Sequence, residues 1–262
     1  MMKYIFLPVF FLIETIGFSQ NNQTKNSKIR EMSTDRPDVT ESAFTVPAGY
    51  FQLETDLVKF STEKISGVAF KEINLNAFNL KYGISKTIDL QLVIKSIVTT
   101  STITPFFKER KTGFGDITFR FKKNIFGNDE GKIALAVMPF INIPVGRNES
   151  NLNLGIVISL AISLGKNWNV GAQIQTVVGE QVVDRKIVTQ NLFSATVGHP
   201  VCKNVDIFIE TVLTNLQKEW ALLGNGGIVY LISPYCKIDA GFNLGLAGSN
   251  AQIYFLGLSI RI

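Results

Sequence analysis

"NLNLGIVISLAISLG", residues 151–165, puts Leu152, Leu154, Ile156, Ile158, Leu160, Ile162 and Leu164 at every second position, with Asn151, Asn153, Gly155, Ser159 and Ser163 between them. Successive side chains of a strand point to opposite faces, so this stretch has one greasy side and one polar or small side. "TIDLQLVIKSIV" (87–98) repeats the pattern, with Ile88, Leu90, Leu92 and Ile94 opposing Asp89, Gln91 and Lys95. In "GDITFRFKK" (115–123), Ile117, Phe119 and Phe121 oppose Asp116, Thr118, Arg120 and Lys122.

Twelve such segments follow one another, at 49–61, 72–84, 87–101, 113–124, 132–143, 152–164, 168–178, 187–198, 204–215, 220–232, 236–247 and 251–262. In the second the apolar set changes face near Ala77–Phe78, which predicts a bulge there. A secreted β-sandwich also alternates, so the period alone does not choose between them. Length does: soluble strands average about 5–6 residues, whereas a strand tilted across a bilayer needs about 9–11. An even number of strands brings both ends to one side, as in single-chain bacterial barrels. The chain also closes on "GLSIRI" (257–262) with Ile260 and Ile262 on the greasy face, the kind of terminal strand that outer-membrane assembly machinery reads. The reading is an antiparallel transmembrane β-barrel of about twelve strands with both termini periplasmic.

The first residues, "MMKYIFLPVFFLIETIGFSQ", combine Lys3, an apolar run from Tyr4 to Ile13 and a small-x-small site at Gly17–Ser19. They predict a signal peptide over 1–19, because that apolar run is too short to span a bilayer. Residues 20–32 form a polar leader, 33–48 a strap, and 49–262 the barrel. The net charge of +5 is unchanged by loss of Lys3 and Glu14, and no basic helix or aromatic-basic stripe points to nucleic acid. A hydrophobic content of 46% without any run of about 18 apolar residues suits a chain that turns its grease toward lipid through strands.

Connections at 83–86, 125–131, 165–167, 199–204 and 233–235 are short and would face the periplasm. Those at 62–71, 102–112, 144–150 and 179–186 are longer and would face outward, the asymmetry of bacterial barrels. Trp168, Trp220, Tyr50, Tyr82, Tyr230 and Tyr254 are girdle candidates.

"STDRPDVTESAFTVPAGYFQLET", "LKYGISKTIDLQL", "GFGDITFRFK" and "PFINIPVG" together resemble the outer-membrane family labelled by a MetA pathway of phenol degradation, whose members are often called transporters. The resemblance runs over nearly all of the mature chain, and its most specific piece is the TDRPD-x-T-ES block. It implies an outer-membrane barrel that passes small organic compounds, and it carries no catalytic residue to this chain.

Chemistry is sparse. The single histidine, His199, precedes Pro200 in a connection expected to be solvated, and no nucleophile–base pair accompanies it. No cofactor fingerprint is present and no metal set is expected. Cys202 and Cys236 fall in separate turns about 10 Å apart, twice the strand spacing, so two free thiols are expected rather than a bridge.

Closing the sheet turns the polar face inward. The lumen candidates are Glu54, Asp56, Asp89, Lys95, Asp116, Arg120, Asp206 and Glu210, with Gln52, Gln91, Lys122, Gln173, Gln175, Asp239 and Arg261 beside them. Glu54, Lys95, Arg120 and Glu210 would sit near mid-height. Opposed charges across a narrow lumen can order water and screen solutes, or simply pair and fill the interior.

"TDRPDVTES" (34–42) does not alternate, and Pro37 removes a ladder donor, so it is not a membrane strand. It is expected either to fold into the mouth as a strap, with Asp35, Arg36, Asp38 and Glu41 inside and Arg36 paired to Glu54 or Asp89, or to form a solvent-facing turn. Lys64, Lys71, Lys108, Arg110, Lys111, Arg147, Arg185, Lys186 and Lys218 on the outer connections are candidates for lipopolysaccharide phosphates, or are plainly solvated. Two functions are compatible with all this. One is a passive channel for small organic solutes, aromatic ones among them; the other is a closed barrel with a structural, adhesive or assembly role.

Overall fold

The structure is a computed structural model and describes residues 29–129, 131–145, 151–180 and 186–262. The expected signal peptide lies outside the described residues, as does most of the leader.

The strands are β1 (Phe51–Ile65), β2 (Val68–Ser85), β3 (Ile88–Ile94), β4 (Ile97–Ile103), β5 (Lys108–Gly113), β6 (Ile117–Phe126) and β7 (Ile133–Ile143). They continue as β8 (Asn153–Gly165), β9 (Trp168–Glu180), β10 (Ile187–Cys202), β11 (Val205–Leu216), β12 (Glu219–Ser233), β13 (Cys236–Ala247) and β14 (Gln252–Arg261). β3 and β4 both pair with β2, and β6 and β5 pair with them in turn, so each of these two pairs is one crossing strand interrupted midway. That leaves twelve crossings among the described residues, every neighbour antiparallel. β1 pairs with both β2 and β14, which closes the barrel.

The side chains divide as the alternation requires. On β8, Leu154, Ile156 and Ile158 are exposed on the outer surface while Val157 and Ser159 are buried within. This inversion of a soluble core is what a bilayer rewards, since lipid rather than protein covers the aliphatic face. The girdle candidates Trp168, Trp220, Tyr82, Tyr230 and Tyr254 are exposed near strand ends or on the outer face.

The bulge foreseen at Ala77–Phe78 belongs to a wider irregularity. Asn76 has φ 54°, the β1–β14 register skips Leu57, β3 and β4 part at Lys95–Ser96, and β5 and β6 part at Phe114–Asp116. One fault therefore crosses four neighbouring strands at one height. The wall stays sealed there, because Gly115 N donates to Lys95 O (2.8 Å) and Lys95 N to Asp116 O (3.3 Å).

Several connections are shorter than expected. The 62–71 segment is a tight hairpin in which β1 and β2 pair up to Ile65 and Val68 around Ser66 (φ 50°) and Gly67 (φ 83°). β5 begins at Lys108, which reduces the 102–112 connection to residues 104–107. β10 likewise runs through 199–202, so His199 is a strand residue stacked on Trp168 with ring centroids 4.3 Å apart, not a solvated turn residue. Charged residues mark the ends of the greasy belt, but the ladder continues past it. Connections 144–150 and 179–186 lie largely outside the described residues. Cys202 and Cys236 are both free.

Candidate functional site

Residues upstream of β1 enter the half of the barrel nearest the chain termini, cross it and return. The wall contacts that hold them come from the matching ends of the strands: Gln52, Glu54 and Asp56 on β1, Lys81 on β2, Lys122 and Asn124 on β6, Glu210 on β11, Asp239 on β13. The loop is closed on itself where Ser42 N donates to Asp35 (2.9 Å) and the hydroxyls of Ser33 and Ser42 meet at 2.6 Å. No strand pairs with this segment, and Pro37 removes one of its donors, so its backbone groups must find side-chain partners or water.

The wall supplies them. Glu54 accepts the N–H groups of Asp35 (3.0 Å) and Arg36 (3.2 Å). Glu210 accepts Val39 N (2.9 Å), Thr40 N (2.7 Å), Thr40 Oγ1 (2.6 Å) and Asn225 Nδ2 (2.6 Å). Gln173 accepts Glu41 N (2.6 Å), Asn128 accepts Thr45 N (3.0 Å) and Asp89 accepts Val46 N (2.9 Å). In the other direction Lys237 donates to Met32 O (2.6 Å), Gln52 to Ser33 O (2.7 Å), Lys122 to Ser42 O (2.9 Å) and Asn124 to Ala43 O (2.8 Å). The wall thus recognises the strap largely through its main chain.

Charge fixes the centre. Asp35 sits between Lys81 and Lys122, and Lys81 also pairs with Glu54; all four are nearly fully buried. Arg120 donates to Glu41 at 2.7 Å. Arg36 does not pair with Glu54 or Asp89 as the sequence suggested. Its guanidinium holds Asp56 and, at 2.8 Å, Asp239, and lies 5.7 Å from the centre of the Phe255 ring. The reason is geometric: the strap turns its N–H groups toward Glu54, so the long side chain reaches the next inward carboxylate on β1 and the facing one on β13. Gly257 makes room for it, since a Cβ there would overlap the guanidinium and have to displace it.

Titration follows from this setting. Burial would raise the Asp35 carboxyl, but Lys122 and Lys81 outweigh it and hold the group far below the usual carboxylate range. Burial and the neighbouring Glu210 push Asp38 well up. Burial, only partly opposed by Arg120, lifts Glu41 from 4.5 to about 7. The geometry agrees, for Glu41 Oε2 is buried without a hydrogen-bond partner and so suits a proton.

The remaining lumen candidates fall differently. Asp206 lines the open space beside the strap. Asp116 takes a hydrogen bond from Asn142 at 3.2 Å, away from the strap. Lys95 is exposed at the break between β3 and β4, because the fault interrupts the alternation that would have aimed it inward. Sequence reasoning passed over Lys81, Lys237, Asn124 and Asn128. Lys81 lies between Leu80 and Tyr82 in "LKYG", an alternation signal that the untidy second strand obscured.

Two cavities of about 540 and 650 Å³ flank the strap, lined by β7–β12 and, for the first, also by Gln52 on β1, Lys237 on β13 and Arg261 on β14. They share Thr34, Asp38, Ser163, Asn169 and Asp206, and Arg30, Asp129 and Lys203 stand toward the mouth. They form a vestibule of mixed polar and apolar lining that ends on strap residues 38–44.

A model of the family described as "Putative MetA-pathway of phenol degradation" matches residues 34–262. No curated protein matches the sequence. Among solved structures, the COG4313 outer membrane channel from Pseudomonas putida F1 superposes with a TM-score of 0.67 at 13% identity, over 84% of this chain and 98% of that one. The NanC porin gives 0.53 at 12% identity, over 80% and 100%. The KdgM porin in complex with disordered oligogalacturonate gives 0.51 at 8%, over 78% and 97%. At these identities the likeness is one of fold.

Proposed function

We propose that this chain, which belongs to the family described as "Putative MetA-pathway of phenol degradation" over residues 34–262, is a passive outer-membrane channel for small organic solutes, aromatic ones among them. The strap is its constriction. The observation that carries the reading is the vestibule: a closed barrel whose polar lumen is filled on one side by the strap and left open on the other. Solute enters down its gradient, meets the segment 38–44, and passes when that segment yields. In this reading the signal peptide directs export, both chain termini face the periplasm, and the chemistry is binding and passage rather than catalysis.

A structural barrel without transport is the second reading, favoured by the buried cluster of Lys81, Lys122, Asp35 and Glu54, which is costly to break. Planar-bilayer recording separates the two. The full chain should give discrete current steps, and deletion of Ser33–Ser42 should enlarge them. If neither protein gives steps, the channel reading is wrong; if deletion leaves the steps unchanged, the strap is not the constriction.

A further inference from the structure

We propose that the outer surface of β1, β2, β4 and β5, beyond the greasy belt at the end opposite the chain termini, is a binding site for the phosphorylated headgroup of lipopolysaccharide. This rests on the orientation proposed above, with the chain termini at the periplasmic end.

The pairing register carries the argument. Residues directly opposite each other in an antiparallel ladder share a face. Val58, Leu75 and Ile97 form one outward row, and all three are exposed apolar side chains. Two residues on, Phe60, Ile73, Thr99 and Thr112 form the next. The row after that is Thr62, Lys71, Ser101 and Arg110, and the last is Lys64, Ala69, Ile103 and Lys108. Four cations therefore stand on the outward face directly above the last apolar row. Lys71 and Arg110 are two strands apart, about 10 Å, and successive rows are about 7 Å apart.

The acids of the same hairpins are on the other side. Glu63, Glu72 and Glu109 share the inward face with Asn74, which donates to Glu72 at 2.6 Å. Lys111 joins them there, 3.4 Å from Glu109. A solvated rim has no cause to sort its charges by face. A rim pressed against anionic headgroups does, since cations outward are attracted and acids outward would be repelled. Arginine offers a bidentate phosphate contact and the lysines point charges, while the apolar rows beneath meet acyl chains.

The test uses the full chain in detergent with purified lipopolysaccharide, followed by native mass spectrometry and lipid co-purification, with phosphatidylglycerol as the competing probe. A Lys64→Gln, Lys71→Gln, Lys108→Gln, Arg110→Gln variant should lose lipopolysaccharide affinity by about two orders of magnitude or more, at about fivefold per cation near a charged surface. Lys111→Gln should retain it, and so should Lys71→Arg with Lys108→Arg, which also guards against misfolding of the neutral variant. Equal retention by the neutral variant, equal loss from Lys111→Gln, or equal displacement by phosphatidylglycerol overturns the proposal. An epitope inserted between Pro105 and Phe106 should be stained on intact cells. If it is hidden, the orientation has failed, and with it this assignment to the outer leaflet.

Discussion

Glu210→Gln tests the strap with the smallest available change. The carboxylate receives three donors from the strap and one from Asn225. In the amide, the oxygen facing Thr40 still accepts, but as part of a neutral group, while an NH2 replaces the oxygen that Val39 N and Asn225 Nδ2 both address. Hydrogen bonds to a charged acceptor contribute about 1.5–3 kcal/mol each, roughly twice a neutral one. Losing the Val39 bond and weakening the Thr40 pair costs the docked strap about 3 kcal/mol. Relief of Asp38, whose carboxyl the neighbouring Glu210 destabilises as an anion, returns part of that. A net loss of about 2 kcal/mol raises the undocked population about thirtyfold. In single-channel recordings the variant should show longer and more frequent large-conductance openings at neutral pH. The barrel itself should keep its heat-modifiable migration on gels. Traces that superimpose on wild type would refute the idea that main-chain recognition at Glu210 holds the constriction.

Docking should also depend on pH in two limbs. Glu41 has a raised carboxyl when docked, so the docked strap binds a proton more tightly than the free strap between 4.5 and about 7, and docking weakens as pH rises through about 7. Asp38 acts in the same direction and Asp35 in the opposite one, its contribution being lost only as pH falls below its ordinary 3.8. Open probability measured from pH 5 to 9 should therefore climb as pH rises toward about 7, with the Glu41 contribution levelling off above it, and Glu41→Gln should flatten that climb. Gly257→Val should expel the Arg36 guanidinium from between Asp56 and Asp239 and reproduce the conductance of Arg36→Ala, with the barrel intact by gel migration. Lys122→Met leaves Asp35 with Lys81 alone and strips the Ser42 carbonyl of a donor, at a cost of about 3 kcal/mol. Protease cleavage within the strap should become correspondingly faster.

What could be read from the sequence was whatever the bilayer dictates locally. A spanning strand must put lipid-compatible groups on every second position, so Leu154, Ile156 and Ile158 declare their face without any knowledge of neighbours. The inward direction of Glu54, Asp89, Arg120 and Glu210 follows from the same rule. Their partners do not, because a lumen brings together residues from all around a closed sheet. Nothing near Arg36 in the sequence marks Asp239, which lies two hundred residues away and becomes a neighbour only when β14 meets β1. The fault through Leu57, Asn76 and Lys95 was visible at one strand alone, since a bulge is a property of paired strands and the pairing is unknown in advance. His199 was misplaced for a related reason: Pro200 and the charge after it look like a turn, yet β10 absorbs Pro200 and runs on to Cys202 through a bulge, leaving only the turn at 203–204.

The chemistry of the strap's partners argues that its removal would wet the lumen rather than collapse it. Glu54, Glu210 and Asp89 each accept strap N–H groups, and Lys122 and Lys237 donate ammonium N–H groups to strap carbonyls. Without the strap these are charged groups on a wall held apart by twelve crossings, and they cannot move together to satisfy one another. Water is the one partner able to replace a main chain at so many points, and the adjoining vestibule has the volume to admit it. The strap is therefore exchanged for water group by group, which keeps the net cost of undocking well below the sum of its hydrogen bonds. An interior built to bind backbone is in this sense already built to be hydrated, and that is the property a gated pore needs and a purely structural plug does not.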